Sequence, residues 1–474
     1  MKEIILLMSI RLFQKIKIYK QNFGIAITAI VILLIVVKGF EFVNPIYYLI
    51  IPILLVNILS EAIVSGKSNS KLGFTIYFLP FILWILLSSF WSVHPEITFK
   101  RSIYFIFLVI GMESISNLIP NNVNALEKVF LPAAIIVIAI SILSLIAGFP
   151  TDYWSGGNGL GLKGFTTHQN MLGSLMYFFT SIMTYRLYNL YYEKGVTNRV
   201  LWFSVGLNIA ALFLLILSFS RSAILAYIIF LIVFGMFTAG TKKTVGLITL
   251  LIIVLLIFSR VELTNKFINY TIYKGSDNIL GSRSVMYKAS LSAAKNGGLI
   301  GMGYGVSEPG IIKGVPGNEV DGIFIREKGS TVLGLIEEAG FIGLVLFYLP
   351  VGILFFKAVR SKKEDTSTPL SVTGASTGSA SVSAGEKGEM SKVRGMKVGE
   401  GPSTGSAVRL NSPQTSLTAD QLGMSSLRSE KKFLIAIIIA MIVHSQFEAW
   451  GIGVGSVLLP LYLLFLARLF DIVK

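Results

Sequence analysis

The chain has 474 residues, 53% hydrophobic and only 14% charged, with a net charge of +16, a mean hydropathy of +0.73 and no cysteine. A soluble domain carries about a quarter charged residues, so this composition points to the bilayer. The missing cysteine excludes disulfides, thiolate nucleophiles and cysteine metal sites. The basic excess is not a nucleic-acid footprint, because no basic patch interleaves with aromatics; Lys and Arg mark helix ends instead.

The first 21 residues hold a short apolar run and then basic residues, with no small-residue cleavage site, so no cleavable signal peptide is expected. Apolar blocks of about 18–22 residues follow, the length that spans a bilayer. The predicted spans lie near 22–41, 45–64, 72–92, 102–119, 128–149, 169–187, 200–219, 222–239, 244–259, 341–359, 433–449 and 452–470. Several of these, such as VGLITLLIIVLLIF, have no polar face and read as lipid-buried helices. The expected fold is therefore an all-α polytopic membrane protein of about twelve transmembrane helices. Lys15, Lys17, Lys20, Lys67, Lys71, Arg186, Lys194, Arg199, Lys242, Lys243, Lys357, Arg360, Arg468 and Lys474 fall on one side of that topology. Lys38, Lys100, Arg101, Lys163 and Arg221 fall on the other. The positive-inside rule then puts both termini in the cytoplasm.

Two long segments lie outside these spans. Residues 260–340 are expected as an ordered extracytoplasmic loop, with one helix in SRSVMYKASLSAAKN and an interfacial helix in STVLGLIEEAG capped by Gly340. Residues 360–432 are rich in Ser, Thr and Gly, repeat STGSA, and bury too little apolar surface to fold; they are expected as a disordered cytoplasmic insertion. The domain plan is thus 1–21 cytoplasmic, 22–259 membrane helices one to nine, 260–340 outer loop, 341–359 helix ten, 360–432 insertion and 433–474 the last two helices.

Polar clusters gather on the predicted outer side. Arg221 sits in SFSRSA between two apolar helices, either as a headgroup-level turn or as an anion ligand backed by Ser218, Ser220 and Ser222. GLGLKGFTTHQNMLG, residues 159–173, opens a helix with His168, Gln169 and Asn170, a pattern that suits helix capping or anion binding at free backbone N–H groups. In the loop, Arg283 precedes a helix and GGLIGMGYG follows it. That glycine run is no dinucleotide fingerprint, since no strand of a βαβ unit leads into it. Arg326, Glu327 and Lys328 form a charged run that reads equally as a solvated face. His94, His168 and His444 lack the spacing of a zinc site, and no Walker loop is present, so neither a metal nor ATP hydrolysis is expected.

FTTHQNMLG opening a helix, SFSRSA between helices, Arg283 followed by GLIGMGYG, and EKGSTVLGLIEEAGFIG leading back to the membrane form an ordered set. From about residue 70 to 470 this set resembles the O-antigen ligase and polysaccharide polymerase family of bacterial membrane glycosyltransferases. The resemblance implies a C-type glycosyltransferase fold and a location in the cytoplasmic membrane. It also implies an undecaprenyl-diphosphate-linked glycan donor, a glycan or lipid acceptor, and no metal, nucleotide or other cofactor. Chain-length regulators or export proteins are further expected partners; nucleic acid is not.

Ligases of this family often carry a His-Asn pair where the loop re-enters the membrane. Here that stretch reads Arg326-Glu327-Lys328-Gly329-Ser330, which favours an exopolysaccharide polymerase or a related ligase over a lipid A ligase. Arginine binds phosphate oxygens bidentately and stays charged. The diphosphate-binding candidates are Arg221 and Arg283, with Arg101 and Arg326 behind them. Glu327, then His168, are the candidate bases, with Arg283 also catalytic, and Gln169, Asn170, Ser220 and Tyr304 are candidate substrate contacts. A flippase or other polytopic transporter of lipid-linked oligosaccharides is the alternative, although no internal repeat is evident.

Overall fold

The computed structural model describes residues 24–36, 73–120, 125–148, 161–192, 196–244, 246, 284–307, 317–320, 323–326, 328–367, 419–448 and 456–474. Among these lie α1 (Gly24–Val36), α2 (Gly73–Leu87), α3 (Pro95–Leu118), α4 (Ala125–Ile146), α5 (Gln169–Tyr192), α6 (Asn198–Leu217) and α7 (Arg221–Thr238). They continue with α8 (Ser284–Gly297), β1 (Gly317–Val320), β2 (Ile323–Arg326), α9 (Thr331–Ser367), α10 (Ala419–Ser445) and α11 (Leu458–Val473). Six helical stretches among the described residues are long and apolar enough to cross a membrane: α2 with the turn that follows it, α3, α4, α6, α7, and α9 as far as Arg360. The chain is a polytopic helical membrane protein. Predicted span 45–64 and nearly all of 244–259 lie outside the described residues.

Polarity sorts the helices into layers. α6 turns Trp202, Phe203, Ile209 and Phe213 outward, and α2 does the same with Ile76, Leu79 and Leu83. Such apolar surfaces are stable against lipid rather than water. α5 is the reverse case. Every residue from Leu172 to Met183 is buried, including Ser174, Thr180 and Ser181. α11 is enclosed from Leu458 to Phe470. These less apolar or shorter helices sit inside and are screened from lipid by the others. α10 joins two packed groups: it meets α5 and α7 on one side, and α9 and α11 on the other.

Two expectations need revision, and one holds. The segment 360–432 is helical at both ends, because α9 runs on to Ser367 and α10 begins at Ala419. The loop holds a short antiparallel hairpin, with Gly317 opposite Arg326 and Val320 opposite Ile323. The helix through STVLGLIEEAG ends at Gly340 as expected: its φ of 74° and ψ of 177° are non-helical, so α9 is two helices that meet at a sharp kink there.

Candidate active site at the loop end of the bundle

The elements carrying the polar clusters meet at one end of the bundle. Leu162 N–H donates to Leu217 O at 2.8 Å, tying the approach to α5 onto the end of α6. Gly173 in the first turns of α5 faces Ser220: a Cβ there would lie 2.4 Å from the Ser220 Cβ. Only a glycine lets the SFSRSA turn pack so closely. The turn is itself strained, since Phe219 has φ 48°, a conformation rare for a bulky residue. Ser218 Oγ accepts the Ser220 N–H at 3.3 Å and helps hold it. Arg221 opens α7 directly after this turn and is partly exposed.

At the start of α5, His168 caps the helix: its Nδ1 accepts the Asn170 backbone N–H at 3.1 Å, and its ring is exposed. Gln169 is buried against Gly161. Asn170 Nδ2 donates to Glu448 Oε1 at 2.9 Å. One turn further on, Ser174 Oγ lies 3.2 Å from the Nε2 of His444, whose buried ring stacks on Tyr177. The far side of the same α10 end reaches the loop. Tyr287 Oη donates to Gln446 O at 2.7 Å, and Ser330 Oγ to Gln446 Oε1 at 3.2 Å. Residues 444–448 therefore clasp α5 with one face and the loop with the other.

The glycine run after α8 has a steric purpose. Cβ atoms at Gly301 and Gly340 would come within 2.3 Å of Glu338 O and 2.1 Å of Leu299 O. In that tight seam Met302 and Gly303 donate to Glu337 O and Glu338 O at 2.9 Å each, and Phe341 donates to Gly298 O at 3.0 Å. Trp84 Nε1 donates to Ala339 O at 2.7 Å from α2. Beneath the seam, Lys328 pairs with Glu338, and its Nζ lies 3.9 Å from Glu337 Oε2. Glu338 Oε2 accepts the Gly305 N–H at 2.8 Å, while Arg101 donates to Gly305 O at 2.5 Å. Lys328 is thus a buried counter-ion, not part of a solvated face.

The structure brings His168, Gln169, Asn170, Ser220 and Arg221 together on one side, and Arg101 and Tyr304 on the other. Tyr304, the candidate substrate contact, is packed inside the bundle. It is 1% exposed, edge-on to Phe81 and Phe105, and burial pushes its hydroxyl above the usual range. Arg101 braces the loop through Gly305. Arg326 ends β2, and Arg283 and Glu327 lie outside the described residues. The sequence reading missed Gln446, Glu448, Glu337 and Glu338. The signal for the first two was present in HSQFE, where His444 and Glu448 stand four apart with Gln446 between them at the end of an apolar span. Among the described residues no three of His, Cys, Asp and Glu gather as a metal would need.

The described residues form a helical membrane bundle with a polar, cation-bearing cluster at one end, against which α8 and the glycine run pack. Residues 206–348 match the family model described as O-antigen ligase. No curated protein and no solved structure matches the chain.

Proposed function

We propose that the protein is a glycosyltransferase that transfers or polymerises a glycan carried on undecaprenyl diphosphate. The reaction takes place on the non-cytosolic face of the bacterial cytoplasmic membrane, with both termini in the cytoplasm. One observation carries this reading: the O-antigen ligase match, residues 206–348, begins in α6 and ends in α9, and so contains the Arg221 turn, α8, the glycine seam and Lys328. These are the elements whose ends converge on the α5 start and the end of α10.

In this mechanism the lipid tail lies between helices and the diphosphate sits at the membrane surface. The acceptor hydroxyl attacks the anomeric carbon, the bond from that carbon to the diphosphate oxygen breaks, and the configuration inverts. Arg221, Arg283 and Arg326 meet the charge that grows on the departing diphosphate. Fixed donors aimed at developing charge are usually the largest catalytic contribution. Arg101 keeps the glycine seam in place. No metal or nucleotide takes part, and a chain-length regulator or export protein would accept the product.

The test is deletion of the gene followed by glycan analysis. Accumulated single repeat units on lipid identify a polymerase, and free polymer lacking its final attachment identifies a ligase. Arg221→Ala and Arg283→Ala should each abolish the product while the protein still reaches the membrane. The cysteine-free chain lets each position be replaced by cysteine and probed with an impermeant maleimide. Labelling of positions 221 and 283 from the cytosolic side only would reject the site.

A further inference from the structure

We propose that Glu448 is the general base of this transfer: its carboxylate, oriented by Asn170, takes the proton from the acceptor hydroxyl. This deepens the transferase reading above and rests on it. Glu448 follows the end of α10 and is half-buried, so it reaches both protein and open space. Asn170 Nδ2 holds Oε1 at 2.9 Å, and the Glu448 N–H donates to His444 O at 3.1 Å. The backbone around it is anchored from the loop by Tyr287 and Ser330 through Gln446. A base works best when its surroundings fix it before substrate arrives.

Position favours it too. Asn170 stands three residues, about 4.5 Å of helix rise, before Gly173, the residue packed on Ser220. One stretch of α5 thus carries both the residue that orients the carboxylate and the residue that seats the Arg221 turn.

The competing groups at this end are worse placed. A backbone N–H only donates, so the Nδ1 of His168 must be its acceptor. The neutral ring then carries its proton on Nε2, so that nitrogen donates rather than accepts. His444 is wholly buried, with its Nε2 on Ser174. The enclosed carboxylates have other work: Glu338 pairs with Lys328, Glu127 with Arg186, Glu430 with Arg468, and Glu113 caps the N–H groups of Phe74 and Thr75.

The balance of the step is simple. The acceptor oxygen forms a bond to the anomeric carbon as its proton passes to Glu448. The electron pair of the broken carbon–oxygen bond leaves with the undecaprenyl diphosphate. The protonated carboxyl then returns its proton to water before the next turnover.

The experiment compares Glu448→Gln, Glu448→Asp, Glu327→Gln and Arg221→Ala in the deletion strain, scoring the rate of glycan formation per molecule of membrane-inserted protein. Each purified variant is also melted in detergent. Glutamine keeps an oxygen to accept the Asn170 hydrogen bond but cannot take a proton. The expected result is a loss of about 100-fold or more in Glu448→Gln, with an unchanged melting temperature. Glu448→Asp, still a base on a shorter arm, should retain measurable activity, and Glu327→Gln should remain active. Full activity in Glu448→Gln overturns the proposal, as does complete loss in Glu327→Gln. Loss in both Glu448 variants also overturns it, since the side chain would then serve only to anchor α10 to α5. Active Glu448→Gln beside inactive Arg221→Ala rejects the base alone; an unaltered glycan in the deletion strain rejects the transferase reading itself.

Discussion

Lys328 and Glu338 are 5% and 4% exposed at the side chain, under the seam between the glycine run and the kink in α9. Lys328→Met keeps the unbranched stem, one atom shorter, and removes its charge. Glu338 would retain the Gly305 N–H at 2.8 Å but lose its counter-ion, and Glu337 would lose the ammonium at 3.9 Å. Breaking a buried pair from one side costs about 3–5 kcal/mol. Glu338→Gln is milder, because its amide oxygen still accepts the Gly305 N–H and Lys328 keeps Glu337. Its expected cost is about 1–3 kcal/mol. The double variant leaves no unpartnered carboxylate at 338, so its cost should fall below the sum of the singles by about 1 kcal/mol or more. Unfolding by SDS titration in mixed micelles measures all three. A double variant additive to within about 0.5 kcal/mol would refute the view that this pair is held by mutual neutralisation.

Gly305→Ala should be defective in both stability and glycan output, because φ is +82° and the new Cβ would lie 2.1 Å from Arg101 Cδ. The left-handed backbone alone costs about 1–2 kcal/mol, and a melting temperature equal to that of the parent would contradict this. Arg468→Met, at the opposite end, strands Glu430 and the carbonyls of Ile119 and Pro120, which Arg468 serves at 2.6, 2.9 and 3.1 Å. It should destabilise by about 3–5 kcal/mol yet leave glycan output per folded molecule unchanged, as read by product normalised to folded protein. Arg221→Lys retains the charge and loses the planar fork; its glycan output should lie between that of the parent and that of Arg221→Ala.

Some of this protein is determined locally. An apolar block with few charges can satisfy its backbone in lipid only as a helix, so α2, α3, α4, α6, α7 and α9 were readable from composition and length. Helix starts at Gln169 and Arg221, and a helix after Arg283, followed from the polar residues that interrupt the apolar runs. The O-antigen ligase segment matched at 206–348 agrees with motifs visible in the chain.

Other features depend on which distant residues become neighbours. GGLIGMGYG reads as a weak glycine-rich motif, and only the approach of Glu338 O and Leu299 O shows why a Cβ is excluded there. Lys328 in REKGS resembles any exposed charge until Glu338, ten residues on, folds over it. Glu448 stands 278 residues from Asn170, and no local pattern encodes that hydrogen bond. Helix formation and membrane insertion are decided by each stretch's own hydrogen bonds and transfer free energy. Pairing of buried charges and assembly of a site are decided by packing across the bundle, and so belong to the tertiary structure.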